Sequence, residues 1–299
     1  MAVAPLTWSI PNPIQDYTTS TLSPMVRSEL SKLEPNQYTL YETRDSDPSP
    51  NQEERDEQED LEARGAQIGG LIERCTASKC LSMTFDDGPY LNHKKVVDTL
   101  ESEGMKSTFF VNGQNFRCIY DTESVSALRY SYSRGHEICS HSWSHPHLSG
   151  ATNEELDRQV QLVEDALYKI LGVVPSCFRP PYGEITDDQV KYLNDRWGLQ
   201  VINWNYDTMD ANGATVDYSL NVYRNLKAPK HAIVLNHETV NTTANTVIPQ
   251  AVKIVKQNGY SGSRTLSDTL GFNPYKVVGQ RGKRDSTWTC DGKPAPGVL

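Results

Sequence analysis

The clearest periodic segment of the sequence begins at residue 152 and has the apolar spacing of a helix. Thr152-Asn153-Glu154-Glu155 forms a capping box, whose first and last side chains bond free backbone N–H groups at a helix start. Gly172 ends the pattern, and the apolar positions between, at intervals of four and three, are Leu156, Val160, Val163, Leu167 and Ile170. A second capping box, Thr186-Asp187-Asp188-Gln189, predicts a helix that ends at Gly198.

Short apolar runs alternate with these helical segments, several of them directly after a glycine. The predicted strands are residues 81–85, 106–111, 137–140, 173–178, 199–204 and 232–235. Repeated strand-then-helix units with short connections predict an α/β fold with a parallel sheet. Six or more units favour a closed or nearly closed barrel over an open sheet.

The first 65 residues differ in amino-acid composition from the rest of the chain. Residues 1–43 are rich in Pro, Ser and Thr, with one weak helical pattern at 23–33. Residues 44–64 hold nine acidic and three basic side chains and almost no apolar ones, too few to offset the entropy of ordering. We therefore predict a polar extension over 1–65 that is disordered, a pro-segment, or an inhibitory cover over the barrel mouth. A folded barrel is expected over 66–275 and a C-terminal tail over 276–299.

Charge and cysteine content narrow the function classes. The formal net charge of −9 argues against nucleic acid or an anionic membrane as partner, although residues 44–64 alone contribute −6 of it. No apolar run is long enough for a transmembrane helix. No apolar signal-peptide core opens the sequence, which leaves an intracellular start and a removed leader both open. Six cysteines and the sequon Asn241-Thr242-Thr243 favour a disulfide-bonded, secreted protein, and the lack of a CxxC pair argues against a zinc ribbon.

Polar clusters follow the predicted strands directly. Because the C-terminal ends of strands in an α/β barrel meet at one mouth, we expect these clusters to converge in one pocket. They are residues 86–89 (DDGP), 112–113 (NG), 141–146 (HSWSHP), 179–183 (RPPYG), 205–210 (NYDTMD) and 236–238 (NHE). Cys139 and Cys177 each lie two residues before such a cluster, and we expect both to be buried free thiols pointing inward.

His141 and His145 have the spacing that points both imidazoles the same way on one helical turn, as a divalent metal site requires. Two surface histidines are the alternative, and the position after a strand favours the metal site. Asp86 and Asp87 then supply the third ligand and a free carboxylate that accepts a proton, whereas the alternative for them is a solvated tight turn.

The ordered set TFDDGP (84–89), HSWSHP (141–146), RPPYG (179–183), DTMD (207–210) and LNH (235–237) resembles the polysaccharide deacetylases of carbohydrate esterase family 4. The resemblance covers about residues 66–275 and is greatest to fungal chitin deacetylases. It implies a distorted (β/α) barrel and metal-dependent removal of acetyl groups from sugar polymers. It also implies zinc, with cobalt or another divalent ion as alternatives, a chitin or chitooligosaccharide substrate, and a monomer that is secreted or associated with the cell wall.

The resemblance also implies a role for each motif residue. Asp87, His141 and His145 are expected to bind the metal, Asp86 to be the general base, and Arg179 to pair with it and lower its pKa. His237 is expected to be the general acid and Asp207 the carboxylate that holds it. Tyr182 is expected to offer its backbone N–H to the oxyanion, and Leu235 to line the acetyl pocket.

Some features keep alternatives open. Ala211 stands where the family often places an aromatic residue after the fourth motif, so a deacetylase of acetylxylan or peptidoglycan is the rival within the enzyme class. A catalytically silent chitin-binding protein is the rival from another class. Trp143, Tyr182 and Trp204 are candidates for stacking on sugar rings. The remaining histidines fit no motif: His93, His136, His147 and His231.

Overall fold

The computed structural model describes residues 19–40, 70–75, 77 and 79–299. The acidic segment 44–64 lies outside the described residues. Among those described, no helix is both long and apolar enough to cross a bilayer.

Eight parallel strands form the main sheet, in the order β2-β8-β7-β5-β4-β3-β10-β9. Their bounds are β2 Leu71–Ile72, β3 Leu81–Gly88, β4 Thr108–Val111, β5 Glu137–Ser140, β7 Cys177–Phe178, β8 Gln200–Ile202, β9 Tyr206–Asp207 and β10 Ala232–His237. No pairing joins edge strands β2 and β9 within the described chain, so the sheet is a distorted barrel open along one side. The predicted α/β fold is therefore confirmed.

One helix precedes the strands and the others follow strands along the chain. Their bounds are α1 Pro24–Leu30, α2 His93–Glu101, α3 Thr122–Tyr132, α4 Asn153–Leu171, α5 Asp187–Trp197, α6 Val216–Asn225, α7 Ile248–Gln257 and α8 Leu266–Leu270. Both predicted capping boxes form, at Thr152 and at Thr186. Gly172 ends α4 with a φ of 80°, and a Cβ there would lie 2.4 Å from the carbonyl oxygen of Gly279, so only glycine fits.

The predicted strand 173–178 is two strands. Its first half, β6 (Val173–Pro175), pairs antiparallel with β11 (Tyr275–Val278), while its second half is β7 of the barrel. Ser176 separates them, and its backbone N–H donates to the carbonyl of Pro274. The expected boundary at residue 275 thus falls within β11.

Residues 19–40 pack against the barrel. Strand β1 (Thr39–Leu40) pairs with β11, and α1 lies on α4. A buried ion pair between Lys276 and Glu164 anchors this segment, because the Lys276 ammonium also donates to the carbonyl of Thr21. Strand β6 enters β7 from its N-terminal end, so this part of the extension lies at the opposite end of the barrel from the predicted mouth.

All six cysteines form disulfides: Cys75–Cys80, Cys118–Cys290 and Cys139–Cys177. The prediction of free thiols at Cys139 and Cys177 was wrong. Both side chains share one face, as expected, but β5 and β7 are also adjacent in the sheet, with Ser140 opposite Phe178. The preceding cysteines are therefore neighbours, with their Cα atoms 5.2 Å apart.

Removing the Cys139–Cys177 disulfide should destabilise the protein more than removing Cys75–Cys80. The sequence separations are 38 and 5 residues, and chain entropy predicts losses of about 4 and about 2 kcal/mol respectively. Denaturant unfolding of the two double Cys→Ala variants measures the difference. An equal or larger loss for the Cys75–Cys80 variant would contradict this assignment of stability.

Candidate functional site

The register of the sheet brings the strand-end motifs together. His237 at the end of β10 lies directly opposite Asp86 on β3. The next loops are joined by backbone hydrogen bonds: His141 N–H donates to Val111, and Arg179 N–H donates to Ser140. All the predicted site residues therefore lie near or just beyond the C-terminal ends of their strands, at one mouth.

Asp87, His141 and His145 form a cluster suited to a divalent cation. One ligand atom from each lies within 4.8 Å of the others. Asp87 Oδ1 is 3.3 Å from His145 Nε2 and 3.7 Å from His141 Nε2. Two imidazoles and one carboxylate are a donor set that divalent transition metals accept, so the residues fit the metal implied by the sequence.

The two histidines converge through a loop, and the expected helical turn between them was wrong. Ser142 and His145 have left-handed backbones, with φ of 67° and 54°. The buried Asn112 side chain donates to the carbonyls of His141 and Ser142 and holds this loop. Strained backbone conformations of this kind are typical of functional sites, where the direction of a side chain must be fixed.

Burial keeps both histidines neutral, and a hydrogen bond orients the ring of His141. His141 Nδ1 lies 2.8 Å from the carbonyl oxygen of Arg179, which can only accept a hydrogen bond. The proton of the neutral imidazole is therefore on Nδ1, and Nε2 is unprotonated toward Asp87. Burial lowers the pKa of His141 and of His145 to about 3. Both imidazoles are therefore uncharged near neutral pH, as a metal ligand must be.

Asp86 is paired with a fully buried arginine. Arg179 Nη1 donates to Asp86 Oδ1 at 2.7 Å, and Asp86 Oδ2 lies 3.7 Å from His141 Nε2 on the side of the metal cluster. Burial raises the pKa of Asp86, and the charge of Arg179 opposes this only in part. Arg179 thus lowers the pKa of Asp86, as predicted, but desolvation raises it by more.

His237 is held by Asp210, and the predicted partner Asp207 was wrong. His237 Nδ1 lies 2.7 Å from Asp210 Oδ1, and its backbone N–H donates to Asp210 Oδ2. Burial disfavours the charged imidazole, but the hydrogen bond and charge of Asp210 outweigh it and raise the pKa of His237 to about 9. His237 therefore carries its second proton at neutral pH.

The turn within the DTMD motif explains why His237 is bonded to Asp210 and not to Asp207. Asp207 Oδ1 accepts the backbone N–H of Met209 at 2.7 Å and caps the turn. Met209 has a left-handed φ of 53°, and Asp210, next along the chain, is the residue that meets His237. Both aspartates were in the motif, and no sequence pattern showed which one faces the histidine.

The remaining predicted residues border the same mouth. Tyr182 is 51% exposed, its ring centroid 4.5 Å from that of His145. Leu235 is buried on β10 opposite Asp207. Trp143 is fully buried and its indole N–H donates to the carbonyl of Pro294, so stacking on a sugar is excluded. Trp204 is partly buried, its ring centroid 5.5 Å from the Arg179 guanidinium carbon.

Sequence reasoning assigned no role to two groups beside the end of β3, which carries the aspartates. Glu238 is fully buried, accepts the backbone N–H of Tyr90, and lies 2.6 Å from His93 Nδ1. A Cβ on Gly88 would lie 1.7 Å from its carboxylate, which accounts for the glycine of the motif. Asn115 donates to Asp87 Oδ1 at 3.1 Å. His93 belongs to no motif, whereas Glu238 lies in the strand-end cluster 236–238, and no role was predicted from the sequence for Glu238 or Asn115.

The chain is similar in sequence and in fold to known deacetylases. The polysaccharide deacetylase family model matches residues 73–202. A chitin deacetylase of Pestalotiopsis sp is 34% identical over 217 residues, 71% of this chain and 72% of that protein. Chitin deacetylase 2 of Cryptococcus neoformans is 34% identical over 188 residues, 59% of this chain but only 40% of its own length. The solved chitin deacetylase from Colletotrichum lindemuthianum has a TM-score of 0.64 at 26% identity and covers 70% of this chain and 96% of its own.

Asp210→Asn should lower the pKa of His237 well below its value of about 9, because the burial penalty is then opposed by the smaller effects of the Asp87 and Asp86 charges. Asp207→Asn is the matched control, and it should leave the pKa of His237 well above 7. Titration of the His237 imidazole by NMR measures both. A large downward shift in the Asp207 variant with none in the Asp210 variant would overturn the pairing.

Proposed function

Because the chain belongs to the polysaccharide deacetylase family, we propose that it hydrolyses N-acetyl groups of chitin or chitooligosaccharides in a metal-dependent reaction. The observation that carries the proposal is one mouth holding three metal ligands, a carboxylate base paired with Arg179, and a protonated histidine. These are the groups that amide hydrolysis requires: an activated water, stabilisation of the oxyanion and a proton for the leaving nitrogen.

Asp87, His141 and His145 would hold the metal, for which we propose zinc, with cobalt or another divalent ion as alternatives. A divalent cation bound there supplies positive charge that polarises the acetyl carbonyl, acidifies water and favours the ionised form of nearby carboxylates. The Arg179 carbonyl keeps the His141 lone pair aimed at this position.

Asp86 accepts the proton of the attacking water. Its Oδ1 is held by Arg179, and its Oδ2 is directed toward the metal cluster without belonging to it. This division leaves one carboxylate of the aspartate pair to bind metal and the other to move a proton, as general base catalysis requires.

His237 donates the proton that the departing amine needs. Its pKa of about 9 means that the proton is present at neutral pH, and Asp210 fixes the imidazole with Nε2 as the free donor. Asp86 and His237 lie opposite each other on β3 and β10, so one substrate carbon can be reached by base and acid together.

Two predicted residues would complete the acetyl site. Tyr182 has a left-handed backbone (φ 59°) at the turn after Arg179, and we propose that its N–H donates to the developing oxyanion. Leu235 would form the apolar wall for the methyl group. Asp207, which caps its own turn, is left with an electrostatic role toward Arg179.

Chitin is proposed over acetylxylan or peptidoglycan on the similarity to the fungal proteins named chitin deacetylases. Ala211, which follows Asp210, supplies no aromatic ring, so the rival substrates belong in the test. Three disulfides and an exposed sequon residue, Asn241, support a secreted or cell-wall-associated glycoprotein. We propose that it acts as a monomer.

The protein should release acetate from N-acetylglucosamine oligomers, lose this activity on exhaustive chelation, and regain it with Zn²⁺. Asp86→Asn should lower kcat by about 10²–10⁴-fold, the usual worth of a general base, while calorimetry shows zinc affinity unchanged because Asp86 is not a ligand. His141→Ala, the contrasting variant, should lose zinc affinity as well.

Acetate release that survives chelation or Asp86→Asn would refute the mechanism. Release from acetylxylan or peptidoglycan alone would refute the substrate. Tight binding to chitin with no acetate from any substrate would instead establish the silent binding protein.

A further inference from the structure

The loop between β4 and α3 is fixed at several points beside the metal cluster. Asn112 at its start bonds to the loop carrying His141, and Asn115 donates to the metal ligand Asp87. Near its end, Cys118 is bonded to Cys290 of the C-terminal tail, and the Ile119 side chain is buried. These contacts hold the backbone of the loop in place. A side chain that is exposed on this loop is therefore kept exposed by the surrounding structure.

Phe116 is exposed at the centre of this anchored loop. Its side chain is 53% exposed, and its ring centroid lies 5.5 Å from that of Tyr90, which follows the aspartate pair on the neighbouring loop. The guanidinium of Arg117 lies 5.6 Å from the Tyr90 ring. The two rings thus form an aromatic surface with a hydrogen-bond donor at its edge. The name Phe116 platform is used below for Tyr90, Phe116 and Arg117.

The Phe116 platform continues directly into the metal cluster. Phe116 follows Asn115, whose amide touches Asp87, and Asp87 lies 3.3 Å from His145. The half-exposed Tyr182 ring packs against His145, another residue of the cluster, and the His147 ring stacks on it. Exposed aromatic side chains thus occur near two of the cluster residues, and a linear polymer presenting an acetyl group to the cluster would extend over one or both.

Single exposed apolar side chains are common on protein surfaces and need no explanation. The platform differs because two rings and a guanidinium occur together, on a disulfide-anchored loop, one residue from a contact to a metal ligand. Its chemistry suits an uncharged pyranose, whose apolar C–H face can cover an aromatic ring while its hydroxyls accept from Arg117.

We propose that the Phe116 platform is a subsite for the N-acetylglucosamine residue adjacent to the one being deacetylated, on the Asp87 side of the metal cluster. This inference rests on the proposed function and deepens it, because it assigns affinity for longer oligomers to residues outside the hydrolytic groups. Occupation of the platform stabilises ground state and transition state alike, so its loss should appear in KM and leave kcat nearly unchanged.

The test compares Phe116→Ala with wild type on the N-acetylglucosamine tetramer and on a small aryl acetate that cannot reach the platform. The variant should raise KM for the tetramer about 10-fold and leave its kcat, and the rate on the aryl acetate, within about 2-fold. Phe116→Trp should restore the tetramer KM. Tyr218→Ala on α6, a residue equally exposed at 53%, is the matched control and should behave as wild type.

A binding measurement separates the platform from turnover. In the Asp86→Asn background, calorimetry with the tetramer should show about 10-fold weaker binding when Phe116→Ala is added. Unchanged KM and affinity in Phe116→Ala, with a wild type active on the tetramer, would overturn the subsite and leave the proposed function standing. A wild type inactive on every oligomer would overturn the proposed function itself. A variant slow on the aryl acetate would show that Phe116 supports the hydrolytic groups instead.

Discussion

The site depends on the position of one buried arginine. The Arg179 guanidinium is fully enclosed and donates to Asp86, to the Thr84 hydroxyl, and to the carbonyls of Ile202 and Asn203. Its own backbone carbonyl accepts from His141, so the same residue orients a metal ligand as well as the base. A buried ion pair is worth little net stability when intact, but loss of one partner leaves a costly unpaired charge. The fold must therefore keep Arg179 paired with Asp86, and this pairing fixes the position of the base.

The parallel sheet converts distant sequence positions into one site. Each strand of the barrel ends at the mouth, and neighbouring strands place Asp86 opposite His237 without any long side-chain reach. The backbone conformation then sets the direction of the site side chains, since left-handed residues occur in four of the five motifs. They are Asp87, Ser142, His145, Tyr182 and Met209. Such conformations cost free energy in non-glycine residues, and the hydrogen bonds and disulfides around the mouth hold them in place.

Local sequence patterns were sufficient to predict features that depend on neighbouring residues, such as helix starts and strand ends. Capping boxes and apolar spacing identified α4 and α5, and polar residues at strand ends identified the mouth. Pairing between motifs was harder: the choice of Asp210 over Asp207 depends on a left-handed turn at Met209, and Cys139–Cys177 depends on which strands are neighbours. The sign of the Asp86 pKa shift also depends on burial, which a list of charged neighbours does not contain. The Phe116 platform was not predicted because exposed aromatics form no periodic pattern.

We propose that the two aspartates of one motif have different partners, the metal for Asp87 and Arg179 for Asp86. A crystal structure of the zinc-loaded protein, with anomalous diffraction at the zinc edge, tests it most directly. We predict one anomalous peak about 2.0–2.2 Å from a carboxylate oxygen of Asp87 and the Nε2 atoms of His141 and His145. Asp86 should remain outside that distance and bonded to Arg179. A zinc ion ligated by Asp86, or one bound away from His141 and His145, would contradict the account.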